Sequence, residues 1–528
     1  MVPNDRTLSR TIGVLPLGTI GGVGEDVPVT DAADSFIAAL RDALSDADYT
    51  YDGVAELLGP TAHQALSRNE TVPGLRRTRG GSPLETLTRL FLLQSTVSVA
   101  EAEKALPGLV DRLCVEGVLE RSLSEVAARL DVRPYADDDH DSWVISDLTP
   151  GLDGTPNKVG ANHVLGISSA STSLAQLTLR HDVGSALDLG TGCGVQALHL
   201  ATHADRVVAT DVNRRALWIA ELNARLNESP NVEVRDGSFF EPVRGETFDL
   251  IATNPPFVIS PATGERLVYR DSGLPGDRVV EDIVRAAPTF LNEGGWCQIL
   301  ANWVIAEGTP WDERLAGWLD GTCDAFVVQR EVLDPASYVE LWLKDAGLQN
   351  TADYVYRYDT WLGWFEKQGI EAVGFGWINL RKRPESAISH GGEATYRLEE
   401  WPYDVEQPIA PAIASWGAAV DVLAGLTDDE ALLAAHLVAR EDLQQETVGA
   451  PGAEDPHTVV LRQQRGFRRA RKADTVEAAL VGACDGELSV GQIIDALAQL
   501  LDADAGATRD AYLGAVRELI AEGFLELA

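Results

Sequence analysis

The chain has 528 residues, enough for about three to four domains at roughly 150 residues each. Hydrophobic residues at 45% and charged residues at 23% are globular proportions, and no run of about 18 apolar residues is present, which excludes a membrane-spanning helix. A formal charge of −38 argues against a protein that coats nucleic acid nonspecifically, because so acidic a surface repels phosphate backbones.

Residues 1–30 carry Arg6, Arg10 and a short apolar run broken by Pro16 and several glycines, and are expected to be a disordered leader. Residues 31–142 read as a helical, winged-helix-like domain. Ser82-Pro83-Leu84-Glu85 is a capping box with proline at the first helical position. A further helix with Leu106, Leu109, Val110 and Leu113 stops at Gly117 and runs into Val118-Leu119. Asp137 to Asp141, with His140 among the aspartates, holds metal-ligand types, but five consecutive residues seldom converge on one ion, so an acidic linker and no metal is expected.

Residues 143–383 alternate apolar strands with helical segments, the signature of an α/β, doubly wound, Rossmann-like sheet. The expected strands are 186–189, 207–210, 232–235, 250–253, 296–301, 325–329 and 373–380. His163 and the Ser/Thr run from Ser168 to Ser173 are expected either to cap a helix near Leu174–Leu179 with some contact to a ligand or to form a lid over that ligand. Residues 384–473 are expected to be an extension or linker. Its end carries Arg462, Arg465, Arg468, Arg469, Arg471 and Lys472, a basic stripe in an acidic chain, read either as a solvated face that pairs with the protein's own acids or as a nucleic-acid contact. Residues 474–528 repeat the outline of the N-terminal domain: RELIAEGFLE (517–526) agrees with DRLCVEGVLE (111–120) at five of ten positions. A second winged-helix-like module is expected there. The five cysteines lie far apart without a C-x-x-C pair, which disfavours a disulfide scaffold or zinc ribbon and fits a reducing cytoplasm.

Two motifs carry chemistry. The strand Ala186-Leu187-Asp188-Leu189 runs into Gly190-Thr191-Gly192-Cys193-Gly194, a turn whose glycines let backbone approach a ligand while the next helix offers free N–H groups. The following strand ends in Asp211, placed to bond ribose hydroxyls. The strand ending at Thr253 leads into Asn254-Pro255-Pro256-Phe257. Two prolines stiffen that loop at the ligand-binding edge of an open sheet. Asn254 offers a side-chain oxygen, Pro255 a carbonyl and Phe257 a flat apolar face, a set that can hold a planar NH2 group by its two protons.

With these motifs the chain resembles the class I S-adenosylmethionine-dependent methyltransferases of the branch that methylates amino nitrogens through an N-P-P-[FY] loop. Members include the HemK-like release-factor glutamine methyltransferases and ribosomal RNA methyltransferases. The resemblance covers about residues 160–383 and implies a seven-stranded sheet and S-adenosyl-L-methionine as cofactor. It implies that Asp188, Gly190, Thr191, Gly192 and Gly194 line the methionine end, that Asp211 holds the ribose, and that Asp236, Gly237 and Ser238 meet the adenine with Phe239 beside it. Asn254 would border the cofactor and, with Pro255, Pro256 and Phe257, carry the transfer. The loop Tyr269–Asp277 resembles the glycine-rich segment of the glutamine enzymes, without their usual Glu-Pro and with phenylalanine in place of tyrosine at 257.

The expected function is therefore N-methylation of a planar amino group, in the first place on a nucleic-acid base, RNA rather than DNA. The alternatives are a protein glutamine and a non-catalytic cofactor-binding scaffold. No membrane partner is expected.

Overall fold

The computed structural model describes residues 30–528 except 137–139, 156–158, 161, 262–273, 350, 390 and 450–457. The leader expected over 1–30, three of the aspartates in the 137–141 stretch and most of the Tyr269–Asp277 loop lie outside the described residues, save Thr30 at a helix start. Among the described residues no helix is long and apolar enough to cross a membrane.

Apolar strands alternating with helices assemble one mixed sheet. In chain order its strands are β1 (Val183–Leu189), β2 (Ala204–Asp211), β3 (Val232–Asp236), β4 (Phe248–Thr253), β5 (Leu291–Ala306), β6 (Cys323–Leu333), β7 (Ile370–Lys382) and β8 (Tyr396–Glu400). Their spatial order is β8-β6-β7-β5-β4-β1-β2-β3. β1 to β5 pair in parallel, while β7 runs antiparallel between β5 and β6. Each expected strand segment lies within one of β1 to β7. The sheet has eight strands rather than seven, because β8 adds in parallel to the free edge of β6.

Both faces of the sheet are buried, which is why its strands read as nearly continuous apolar runs. Leu187, Leu189 and Ile251 face one cluster, and Ala186, Leu250 and Ala252 face the other. The helices that matter below are α1 (Ser169–Leu177), α2 (Val195–Ala201), α3 (Arg214–Leu226), α4 (Arg278–Ala286), α5 (Pro335–Asp345), α6 (Tyr354–Gln368) and α7 (Ala410–Gly425).

At the N-terminal side, strands 97–98 and 119–121 flank strand 125–128, with two short helices between the outer pair. At the C-terminal end, strands 485–489 and 525–527 flank strand 436–439, again with two helices between the outer pair. Each unit opens on a capping box, Ser98 with Glu101 and Ser489 with Gln492. Capping boxes satisfy N–H groups that a short helix leaves orphaned.

The N-terminal unit is joined to the sheet by a hairpin, 130–136 with 141–147. Two asparagines one turn apart, Asn223 on α3 and Asn227 just after its end, stitch this hairpin down by imitating a neighbouring strand. Asn227 accepts from Trp143 N–H at 2.9 Å and donates to Trp143 O at 2.8 Å. The fully buried Asn223 does the same at Ile145, at 2.7 and 2.8 Å, and also donates to the carbonyl of Cys193 at 2.7 Å.

Residues 384–473, expected as an extension or linker, divide between the two neighbours: the first part packs on the central sheet, while Leu432, Leu437, Val459 and Leu461 join the apolar cluster of the C-terminal unit. β8 extends the sheet, and α7 packs Trp416 against Trp296 and Phe326. The closeness of α7 depends on Gly417, where a Cβ would lie 2.6 Å from Cζ2 of Trp296. Gly417→Ala must displace that indole, and the expected cost is about 1–3 kcal/mol, as for overpacked cores. Thermal unfolding should show a lowered Tm, whereas the exposed Gly425→Ala, with open space around its Cβ, should not.

Candidate active site

The ends of β1 and β4 lie side by side, and so do the motifs that follow them. Leu189 pairs with Thr253, whose hydroxyl donates to the Leu189 carbonyl at 2.7 Å. Between these motifs lies a cleft of about 650 Å3.

On one wall, Gly190, Gly192 and Gly194 all have positive φ (77°, 56° and 83°), conformations that other residues rarely adopt. A Cβ at Gly190 or Gly192 would point into open space, so backbone there is exposed to a ligand. Gly194 serves packing instead: its Cβ would lie 3.1 Å from Ala220 of α3, and it does not line the cleft. Asp188, almost completely buried, accepts from the Thr191 hydroxyl at 2.5 Å and from Ala197 N–H at 3.0 Å. Burial pushes its carboxyl up to about 7 despite these bonds.

Asp211 terminates β2 and ties the glycine turn to it, accepting from Gly192 N–H at 3.0 Å and Asn213 N–H at 2.8 Å. Burial raises its pKa as well. Gly237, Ser238 and Phe239 line the cleft beyond it, Phe239 with a positive φ of 45°. Asp236 departs from the expectation. Its carboxylate stands 3.4 Å from Nε of Arg214 and lines a groove outside the cleft, drawn there by the guanidinium at the start of α3.

The opposite wall is Asn254, Pro255, Pro256 and Phe257. Oδ1 of Asn254 is buried and without a hydrogen-bond partner, as is the Thr210 hydroxyl on the same cleft. A buried acceptor left unpaired costs about 1–3 kcal/mol, so a bound donor is the natural complement of this site. Phe257 meets Trp342 edge to face, with ring centroids 6.4 Å apart.

Several lining residues escaped sequence reasoning. Asn162 and Leu165 close the cleft, beside the expected His163, from the segment ahead of α1. Asp147 organises that segment: it accepts from Val164 N–H at 2.8 Å and takes both Nε and Nη2 of Arg215, with His163 Nδ1 3.7 Å away. Burial holds the His163 pKa below its usual value. Ser168 caps α1, and both Ser168 and Ser171 border the cleft. Lone hydrogen-bonding residues in loops carry no sequence periodicity, and only the Ser/Thr run and the His163 ahead of it signalled this wall.

The basic stripe is not the continuous cationic face that its sequence suggests. Arg469 is buried against Glu399, with its guanidinium 4.6 Å from the ring of Trp401. Arg471 pairs with Glu477, Glu518 and Glu522, and Arg462 with Glu446 at 2.6 Å. Arg465, Arg468 and Lys472 are exposed. Half of the stripe therefore neutralises the chain's own acids.

The cleft fits S-adenosylmethionine by its polar groups: exposed glycine backbone, a buried carboxylate for a cationic amino acid group, a second carboxylate at the end of β2, and the unpaired Thr210 hydroxyl. Ionised Asp188 favours a bound cation. Affinity for S-adenosylhomocysteine, whose ammonium is retained, should therefore rise as pH increases through about 7, by up to about tenfold for each unit that binding shifts the carboxyl. Calorimetry at pH 6 and 8 reads this, and Asp188→Asn should abolish the dependence. Asp211→Ala should weaken the same ligand by about tenfold or more, since a hydrogen bond to a charged group contributes about 1.5–3 kcal/mol.

Comparison with known proteins agrees with this geometry. Residues 166–309 match the family described as methyltransferase small domain, while residues 46–129 and 414–527 match two families described as domains of unknown function. The release factor glutamine methyltransferase of Xylella fastidiosa (strain 9a5c) is 35% identical over 128 residues, covering 22% of this chain and 46% of that protein. The protein of the same name from Geobacter sulfurreducens is 33% identical over 157 residues (27% and 52%), and that from Yersinia pestis 39% over 127 (22% and 46%). The chain thus spans about half the length of the curated relatives it matches. Its central part, built on the glycine turn, Asp211 and the N-P-P-F loop, belongs to the class I S-adenosylmethionine-dependent methyltransferases.

Proposed function

We propose that the protein methylates the side-chain amide nitrogen of a glutamine in a protein substrate. The observation that carries this reading is the unpaired, buried Oδ1 of Asn254 in the cleft between the glycine turn and Phe257. The similarity to release factor glutamine methyltransferases supports glutamine over a nucleic-acid base. The base reading leaned on the basic stripe, and three of its six cations are engaged by neighbouring carboxylates. A protein acceptor is also compatible with a chain of charge −38, which repels a phosphate backbone.

The cofactor, when bound, supplies a methyl group on a positively charged sulfur, already activated for transfer. The chain's own residues must then make an amide nitrogen nucleophilic and aim it. An amide lone pair is delocalised into its carbonyl. Asn254 Oδ1 accepts one N–H of the acceptor and the Pro255 carbonyl accepts the other. Bonds that strengthen as the nitrogen becomes pyramidal and cationic lower the barrier selectively. Phe257 lies against the amide plane and fixes the angle of approach, a contribution of orientation. No strong base is needed, because the nitrogen turns acidic as the methyl arrives, and the released proton passes to solvent.

Asn254→Ala should lower turnover by about a hundredfold or more, the usual loss for one transition-state hydrogen bond, and leave S-adenosylhomocysteine affinity within about twofold. Equal losses in both would make Asn254 structural. The acceptor class is tested by incubating the protein with tritiated cofactor and extract from cells lacking it. Label should resist RNase, yield to protease and be transferred to purified, unmethylated release factor. Label released by RNase, with RNA binding that weakens steeply as salt rises, would replace glutamine by a base.

A further inference from the structure

A sheet of this topology needs only a short turn between β6 and β7, which are antiparallel neighbours. Here the chain inserts α5 and α6, and the insert packs behind the N-P-P-F loop rather than away from the site. Val258 and Ile259, directly after Phe257, share one apolar cluster with Tyr338 and Trp342 of α5 and Trp361 and Phe365 of α6.

The contact is also polar and specific. Ile259 has no place in the sheet, and its N–H donates instead to the hydroxyl of Tyr338 at 2.9 Å. Nδ2 of Asn302, on β5, reaches the same oxygen at 3.3 Å. Tyr338 and Ile259 are fully buried and Asn302 almost so. One turn along α5, Trp342 meets the Phe257 ring at 67° and also packs against the Tyr338 ring at 6.0 Å. A single helix face thus holds the backbone two residues beyond Phe257 and braces the ring of Phe257 itself. The prolines stiffen the front of the loop, and nothing in their chemistry sets the Phe257 ring plane.

We propose that Tyr338 and Trp342 are positioning residues for methyl transfer: they fix the Phe257 ring, and through it the acceptor group, at the angle that transfer requires. The proposal rests on the reading that Asn254 to Phe257 hold the acceptor nitrogen. It makes the α5–α6 insert part of the acceptor site while leaving the cofactor wall untouched, since no residue of the insert lines the cofactor cleft among the described residues.

The test uses the full-length protein and three substitutions. Tyr338→Phe keeps the ring and removes the bond to Ile259. Trp342→Phe keeps an aromatic edge for Phe257, and Trp342→Leu does not. Rates of tritium transfer into the same cell extract are compared with wild type, beside S-adenosylhomocysteine affinity and hydrogen exchange of the peptide 254–261. Expected are a tenfold or greater fall in transfer for Tyr338→Phe and Trp342→Leu, affinity within twofold of wild type, faster exchange at 254–261, and substantial recovery in Trp342→Phe. Unchanged transfer by folded Tyr338→Phe would overturn the proposal and leave Tyr338 a core residue. So would parallel losses of transfer and cofactor affinity, which signal collapse of the whole site. Because the comparison is a ratio on whatever wild type labels, label found in RNA would sink the glutamine reading and still decide this one.

Discussion

The bond from the Thr253 hydroxyl to the Leu189 carbonyl holds the two halves of the site together. Leu189 is the last residue before the glycine turn, and Thr253 the last before Asn254. Both are buried, so water does not compete for the bond. Its hydroxyl fixes the relative height of two strand ends, and with them the distance between the cofactor turn and the acceptor loop. A valine would fill the same space and remove that bond, at about 0.5–1.5 kcal/mol. In a parallel sheet, ladder bonds set register along the strands but stop at their ends. A side-chain bond at the last residue extends that register into the loops where chemistry takes place.

The rest of the chain encloses this junction. On one side Asn223 carries the order of the hairpin strand 141–147 to the Cys193 carbonyl inside the glycine turn. On the other, α5 carries the order of β5 to the loop after Phe257 through Tyr338. At the far edge β8 and α7 close the sheet, with Arg469 gripped by Glu399 of β8 and lying over Trp401 and Phe467. Buried pairs of this kind offset desolvation with hydrogen bonds and ring contacts, and add specificity of placement more than stability. Basic residues in the 462–472 segment are used to attach a module.

Much of this was legible in the sequence because it follows period and punctuation. Strands β1 to β7 show as short apolar runs, and the glycine turn and Asn254–Phe257 show as residue types that few other structures require. The strand β8 was missed because Tyr396–Glu400 mixes polar and apolar residues, as befits an edge that packs on one side and reaches water on the other. Asp236 was placed by analogy of position, but its orientation depended on Arg214, a contact that no local pattern encodes. The role of α5 was likewise hidden. The aromatic density of Tyr354–Phe365 marks a packed insert, yet which loop it packs against is decided by three dimensions alone. The stripe allowed pairing with the chain's own acids as well as phosphate contact, and which acids the fold brings opposite Arg462, Arg469 and Arg471 is written nowhere in its local pattern.

One feature of the glycine turn reaches beyond the cleft. Cys193 and Val195 belong to the same apolar cluster as Leu113 of the N-terminal unit and as Leu40, Leu44, Tyr49 and Leu90 of the segment before it, which opens with the helix Thr30–Asp46. The turn that meets the cofactor is therefore also a facet of that unit's core, and the two cannot melt independently without opening a shared interior. Anything that binds the native turn and not the unfolded chain draws the whole assembly toward the folded state by mass action, by RT ln(1 + [L]/Kd). Saturation with cofactor thus acts as a thermodynamic clamp on a region distant in sequence, so the abundance of the small molecule and the integrity of the N-terminal helices are linked quantities.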